Sequence, residues 1–339
     1  MSIKKLAEYL GLSKSTVSRA LNGYLDVNKD TREKVLKAAQ ELGYKANPTA
    51  KRLASGKSRT LGIILPSDSN MFVSPAFAKV LVSLSEFLAQ QDYQLIVTTI
   101  FDWQDETQVY LDLITSGLVD GIFIARTRCN DLRLTLLEKH RFPYVCFGFE
   151  EGFSKESFID VDNQQAFYQL TQRQISLGHT QIAFINASAE LTLSQARKEG
   201  YLRAMKEAGL VIESDWILHA ELKQENALLM TEQLMQSNNP PTSILCADDS
   251  MALGAIASCE ALGYKPGINI AITGYGDYQH SRYVKPAITT IKYDTSAVGK
   301  EMAKLMLNKL ENTAFHIQNW HQTEMLVRQS DCHARASKI

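Results

Sequence analysis

Cysteine is scarce and unpaired in this chain of 339 residues. Its five cysteines (Cys129, Cys146, Cys246, Cys259 and Cys332) are scattered, odd in number and form no C-x-x-C pair. That spacing argues against a zinc ribbon or a secreted disulfide framework and for a reducing compartment. With 8 Pro and 18 Gly, collagen-like and wholesale disordered readings fail as well. No apolar run approaches the ~20 residues that a membrane span needs. The basic start Met1-Ser2-Ile3-Lys4-Lys5 leads into Glu8, Gly11, Ser13 and Lys14 instead of an apolar stretch, so it does not read as a signal peptide. A cytoplasmic protein with no membrane partner is expected. Catalytic punctuation is also missing: there is no G-x-S-x-G, H-E-x-x-H or G-x-G-x-x-G. The seven histidines show no metal spacing, since His316 and His321 lie five apart, off one helical face. No catalytic residue, metal or cofactor is expected.

What the chain does have is an ordinary globular composition, 45% apolar and 22% charged, with a length suited to two or three domains. Its charge is unevenly spread. Residues 1–59 carry 13 Lys/Arg against 5 Asp/Glu, a net of +8, whereas the other 280 carry 23 against 32, a net of −9. A basic first sixth on an acidic body points to a polyanion as partner; charge alone leaves a solvated basic arm equally open.

Periodicity narrows this. Ser2 can cap a helix over about 3–10, whose Ile3, Leu6, Ala7 and Leu10 fall at helical spacing. Gly11 breaks it. Ser13 can cap a second helix over about 14–21, with Val17, Ala20 and Leu21 on one face and Lys14, Ser15, Ser18 and Arg19 on the other. A third is expected over about 30–43, with Val35, Leu36, Ala39 and Leu42 inward. Two short helices around a tight turn, closed by a third, make a helix-turn-helix. Its second helix can enter the major groove, where Lys14 and Arg19 can donate to guanine and Ser15 can serve either polarity.

The runs Leu6-Ala7-Glu8-Tyr9-Leu10-Gly11-Leu12-Ser13-Lys14-Ser15-Thr16-Val17-Ser18-Arg19-Ala20-Leu21-Asn22 and Thr31-Arg32-Glu33-Lys34-Val35 resemble the DNA-binding head of the lactose/galactose-repressor (LacI/GalR) family. The resemblance implies base reading by Lys14, Ser15 and Arg19. It implies backbone or other DNA contacts from Ser13, Thr16, Ser18, Asn22, Asn28 and Thr31. The segment 47–59 resembles the family's hinge helix, too short to be stable alone. There Leu53 and Ala50 would enter the minor groove, and Lys51 and Arg52 would contact phosphates. Gly56-Lys57-Ser58 imitates the end of a P-loop, but that motif needs glycine where Lys51 stands, so a nucleotide site is rejected.

From residue 60 onward, short apolar runs (60–65, 94–99, 121–125, 144–149, 181–186, 243–247, 270–274) alternate with amphipathic segments (76–91, 105–116, 131–140, 164–177, 195–208, 225–237, 249–262, 297–311). This alternation predicts an α/β body of two doubly wound parallel-sheet subdomains. Leu177-Gly178-His179, Arg197-Lys198-Glu199-Gly200-Tyr201, Ala247-Asp248-Asp249-Ser250 and Pro286-Ala287-Ile288-Thr289-Thr290-Ile291 resemble the family's effector domain, itself similar to periplasmic sugar-binding proteins. The implied division is a head over 1–46, a hinge over 47–59, one subdomain from 60–160 with 293–321, another from 161–292 with 322–330, and a disordered tail at 331–339.

The effector would lie between the subdomains. Arg197 matches the family's R-x-x-G-[FY] arginine, and a guanidinium fork suits vicinal hydroxyls or a carboxylate. Asp248 matches a position that faces sugar hydroxyls, although it can equally cap the helix from 249. Asp160 and Tyr293 fall at pocket-facing positions, and Asp68 and Phe72 follow the first strand. The chain departs from the family at Gly274-Tyr275-Gly276-Asp277, where Gly276 replaces the acid that contacts the effector. Either Asp277 is displaced into that role or the site is roomier, as an α-linked disaccharide would need. The resemblance implies a sugar-responsive repressor, a homodimer on a pseudo-palindromic operator. A transport receptor, a regulator with a non-sugar corepressor, and a sugar-modifying enzyme using Asp248 and Asp277 as a carboxylate pair are the competing readings.

Overall fold

A computed structural model describes residues 2–21, 24, 26–44, 57–67, 71, 74–153, 157–312 and 319–334. The chain divides into two compact units, Met1–Ser58 and Arg59–Ile339.

The first unit packs α1 (Ile3–Leu10), α2 (Lys14–Leu21) and α3 (Lys29–Glu41) around Leu6, Ala7, Val17, Ala20, Val35, Ala38 and Ala39. Ser2 Oγ accepts from Lys5 N and Ser13 Oγ from Thr16 N, which starts the first two helices. Gly11 ends α1 at φ +62°, where a left-handed residue turns the chain. Leu36 is exposed instead of inward, and Ala38 is buried in the core of the head.

The second unit holds two six-stranded sheets. In the first sheet the order is β11-β5-β4-β3-β1-β2, all parallel. Its strands are β1 (Thr60–Pro66), β2 (Gln94–Ile100), β3 (Gly121–Ala125), β4 (Tyr144–Phe147), β5 (Phe158–Val161) and β11 (Trp320–His321). The second sheet has the order β12-β10-β9-β8-β6-β7 and comprises β6 (Ile182–Asn186), β7 (Ile217–His219), β8 (Ser243–Cys246), β9 (Ala271–Tyr275), β10 (Thr289–Tyr293) and β12 (Thr323–Leu326). Here β12 runs antiparallel to β10, so the second sheet is not wholly parallel as expected. Inner strands such as β1 are apolar and buried along nearly their whole length, as parallel strands covered on both faces must be.

Connecting helices cover the sheets: α4 (Pro75–Gln90), α5 (Glu106–Thr115) and α6 (Leu132–Lys139) in the first half, α7 (Asn163–Ser176), α8 (Thr192–Glu207), α9 (Gln224–Met235) and α10 (Asp249–Ala261) in the second. The last helix, α11 (Thr295–Glu311), returns to the first half, where Val298, Met302 and Met306 join the core of Leu61, Ile63 and Phe123. The chain therefore passes between the halves at 161–163, 293–295 and 321–323. In both sheets, the strand order reverses between the first and third strands, and ligands in such folds collect beyond the carboxyl ends there.

The five strands not expected from the sequence, β5, β7, β10, β11 and β12, have two to five residues, and β5, β7, β10 and β12 carry Asp160, His219, Thr289 and Glu324. The expected tail also begins too early. Asp331 accepts from Arg173 Nε at 2.9 Å and Thr289 Oγ1 at 3.0 Å, and Ala334 N donates to Leu177 O. These bonds hold 331–334 against the second half.

Three helix pairs close on glycines. An ideal Cβ on Gly200 of α8 would lie 2.1 Å from Gln164 O of α7, one on Gly254 of α10 2.1 Å from Gln224 O of α9, and one on Gly299 of α11 2.4 Å from Val80 O of α4. Gly200→Ala is expected to destabilise the second unit by about 1–3 kcal/mol, the usual cost of overpacking. Urea unfolding tests it, and an unchanged midpoint would mean that the helices can separate freely.

Candidate functional site

A cleft with about 770 Å³ of empty space, open solvent included, lies between the two halves of the second unit, at the carboxyl ends of β4, β5, β8 and β9. Arg197, in the first turns of α8, is buried in it. Its Nε donates to Asn163 Oδ1 and its Nη1 to Ala247 O, both at 2.8 Å. The guanidinium carbon lies 4.2 Å from the centroid of Tyr275 and 5.2 Å from that of Phe167. Two hydrogen bonds and two aromatic faces leave little rotamer freedom, so the fork is preorganised.

Two buried carboxylates share the cleft. Asp160 Oδ1 accepts from Val161 N at 2.7 Å, and its Oδ2 accepts from Phe149 N at 2.9 Å. Asn163 Nδ2 also donates to Asp160 Oδ1, at 3.4 Å. Asp248 Oδ1 caps α10 by accepting from Met251 N at 2.7 Å, while Oδ2 faces the hydroxyl of Tyr278 at 3.4 Å. Both expected roles of Asp248, cap and cleft carboxylate, are thus geometrically compatible. Desolvation pushes Asp160 up to about 6 and Asp248 up to about 7, against backbone N–H donors and the charge of Arg197, which pull the other way. Tyr293 lines the wall, with its ring centroid 5.8 Å from that of Tyr275 and 6.4 Å from that of Phe147.

The structure therefore brings Arg197, Asp160, Asp248 and Tyr293 together. Asp277 is a correction. It lies outside the cleft lining, and its carboxylate is taken by Arg282 Nη2 at 2.5 Å and by Arg328. Those cations hold it below the ordinary carboxylate value despite partial burial, which works the other way. The extra room expected at Gly276 is also absent. The ring of Tyr278 covers that position, so a Cβ there would lie 2.5 Å from its Cε1. Asp277 and Asp248 therefore do not pair as expected of an acid/base couple. Asp68 and Phe72 lie outside the described residues.

Several residues had no motif to announce them. Asn163 tethers both Arg197 and Asp160 from the crossover after β5, and Phe77, Thr192 and Tyr278 line the same cleft. Asp249 is buried behind it and accepts from Tyr278 N at 2.7 Å and from Ser281 Oγ and Thr290 Oγ1, both at 2.6 Å, which fixes the loop after β9.

In the first unit, the start of α2 presents a cluster of hydroxyls. Ser13 Oγ lies 2.7 Å from Ser15 Oγ and 2.8 Å from Thr16 Oγ1. Lys14 and Ser15 are exposed beside it, and Ser18 and Thr31 are half-buried. Arg19 is exposed too, but its Nε donates to Asp26 Oδ1 at 3.2 Å and its guanidinium lies over Tyr24, 5.3 Å from the ring centroid. Asn28 caps α3 by accepting from Asp30 N at 2.9 Å, so its side-chain oxygen already has a structural use. Asn22, Ala50, Lys51, Arg52 and Leu53 lie outside the described residues. Among the described residues, no His, Cys, Asp or Glu cluster is placed to hold a metal, and no helix is long and apolar enough to cross a membrane.

Comparison with known proteins agrees with both units. Residues 2–47 match the family described as bacterial regulatory proteins, lacI family, and residues 58–330 match periplasmic binding proteins and sugar binding domain of LacI family. The HTH-type transcriptional regulator AglR of Rhizobium meliloti is 34% identical over 336 residues, covering 97% of this chain and 94% of that protein. Catabolite control protein A of Priestia megaterium is 29% identical over 328 residues, covering 96% and 98%. The solved complex of the transcriptional regulator CelR with cellobiose aligns with a TM-score of 0.75 at 25% identity, covering 97% of this chain and 99% of that one. The lac repressor dimer bound to operator and an anti-inducer has the same fold, with a TM-score of 0.83 at 23% identity and coverage of 98% and 99%.

The raised carboxylates make stability depend on pH. Between pH 4 and 7 the unfolded chain has lost the Asp248 proton while the folded chain still holds it, so stability falls as pH rises through that window. Asp248→Asn keeps a cap and removes this loss. Its gain in unfolding free energy over the parent is expected to be on the order of 1–3 kcal/mol larger at pH 8 than at pH 5. Equal gains at both pH values, measured by urea unfolding, would contradict a proton held by Asp248.

Proposed function

The chain belongs to the LacI family of bacterial regulatory proteins, and from that premise we propose that it represses a sugar-utilisation operon and responds to an uncharged sugar held between the two halves of its second unit. The observation that carries the effector assignment is the composition of the cleft. Two buried carboxylates, one amide and one tethered guanidinium converge between aromatic walls. Carboxylates accept from hydroxyls, Arg197 donates to ring or hydroxyl oxygens, and tyrosine faces suit the C–H faces of a sugar ring. Two arginines, Arg197 and Arg126, line the cleft with the two acids, and it is the carboxylate acceptors that favour a ligand rich in hydroxyl donors. The CelR structure with cellobiose, similar over almost the whole chain, supports a disaccharide of this kind.

The first unit would supply operator recognition. Lys14 and Ser15 at the exposed start of α2 would meet base edges, with Ser13, Thr16, Ser18, Asn28 and Thr31 near phosphates. Arg19 would exchange Asp26 for a base when it docks. In this reading the protein is a cytoplasmic homodimer, so its two heads match a pseudo-palindromic operator. Exposed Val82 on α4 and exposed Ile96 and Val97 on the edge strand β2 support a dimer contact on the first half. Effector and operator then compete through one coupling free energy, which must be reciprocal.

A thermal-shift screen against mono-, di- and trisaccharides, sugar phosphates, sugar acids and nucleosides tests the effector half. A ligand at ~100 times its dissociation constant adds about 2.7 kcal/mol and moves the transition visibly. A shift with an uncharged disaccharide is expected, and Arg197→Ala is expected to abolish it while leaving DNA affinity unchanged. A response confined to nucleosides or anions would replace the sugar assignment. For the DNA half, affinity should fall steeply with salt. Arg19→Ala should relax specificity at one base pair by ~1–3 kcal/mol in binding titrations. Equal losses on operator and random DNA would remove Arg19 from base reading.

A further inference from the structure

We propose that Tyr278 is the clasp of the cleft, positioning Asp248 for an incoming hydroxyl and tying its occupancy to closure of the two halves; the effector part of this rests on the sugar reading above. Tyr278 belongs to the second half, on the loop after β9. Its hydroxyl lies 3.4 Å from Asp248 Oδ2 in its own half and 3.3 Å from Ser74 Oγ, the N-cap of α4 in the first half. One phenol thus touches both sides of the site.

The proton inventory gives this contact a direction. Above about pH 7, where Asp248 is ionised, it can only accept, so the phenol donates to it and must accept from Ser74. Ser74 Oγ itself accepts from Phe77 N at 3.4 Å, which leaves its hydroxyl proton for Tyr278. The chain Ser74 to Tyr278 to Asp248 is therefore consistent without any ligand. Both links are longer than the usual 2.7–2.8 Å between a hydroxyl donor and an oxygen acceptor. A hydroxyl of an uncharged polyol can take over either link, and an anion would meet Asp248 unfavourably.

The ring is placed by two features. Its backbone N–H is held by Asp249, which also holds Ser281 and Thr290. Gly276, at φ +117°, leaves the space in which the ring lies; a Cβ there would meet three of its carbons at 2.5, 3.0 and 3.2 Å. The glycine and the tyrosine are thus one device, with the aromatic hydroxyl occupying volume that any side chain at 276 would claim.

Two backbone bonds report closure without a ligand. Cys129 N donates to Glu190 O at 2.8 Å, and Thr192 N donates to Thr127 O at 3.0 Å, each between the halves. In full-length protein without sugar, hydrogen–deuterium exchange of peptides holding these amides is expected to speed up at least threefold in Tyr278→Phe. Ser74→Ala should do the same, and the double variant should add nothing further. Exchange within β1 and β6 should stay as in the parent. Unchanged exchange at Cys129 and Thr192, or acceleration shared by β1 and β6, would overturn the clasp. With maltose, sucrose, trehalose, cellobiose and raffinose as probes, the sugar that shifts the parent most should bind Tyr278→Phe at least tenfold more weakly. Equal binding would overturn the effector part alone. A parent that responds to none of the five would count against the sugar reading, while the ligand-free exchange would still decide the clasp.

Discussion

Two carboxylates and one guanidinium buried in a single cleft set the terms for the second unit. Ionised acids removed from water are expensive unless hydrogen-bonded and paired. Here the cost is reduced by backbone donors from Val161, Phe149 and Met251 and by the nearby charge of Arg197, and what remains is visible as the raised proton affinity of Asp160 and Asp248. Every oxygen of the two acids has a partner within the protein, so burial rather than a missing partner is what raises them.

The surrounding architecture makes that cleft possible. Asp160 and Asn163 sit where the chain leaves the first sheet for the second, Tyr293 where it returns, and Asp248 and Tyr278 follow strands of the second sheet. Each polar group therefore stands on a strand end or helix start that packing has already fixed. The glycines at Gly200, Gly254 and Gly299 let the covering helices approach to backbone contact, which holds those strand ends in register with one another. A change in the angle between the halves would alter the distances among groups from different crossings together.

The legible part of this protein was the part written in local chemistry. Capping serines, the Gly11 turn and the apolar spacing of Leu6, Ala7 and Val17 specify the first two helices without help from elsewhere in the chain. Short, nearly continuous apolar runs gave away seven strands, and eight amphipathic stretches gave away the body's helices. Arg197 and Asp248 were recognisable because each lies inside a contiguous motif. The short strands β5, β7, β10, β11 and β12 were not, since two to five residues with polar members become strands only when a neighbour supplies the ladder.

Local residue chemistry is enough to set the class of the two units, the identity of the charged side chains available to the cleft, and the basic character of the head. Which of those charges line the cleft depends on contacts made only in the folded chain. Asp277 is one residue from Gly276 and read as a replacement acid, yet Arg282 and Arg328, the latter 51 positions away, neutralise it outside the cleft. Gly276 read as empty space, yet Tyr278 fills it. Asn163, silent in every motif, tethers the central arginine. The physical reason is the same in each case: a side chain's role depends on its partners through space, and pairings between residues tens of positions apart leave no trace in local spacing.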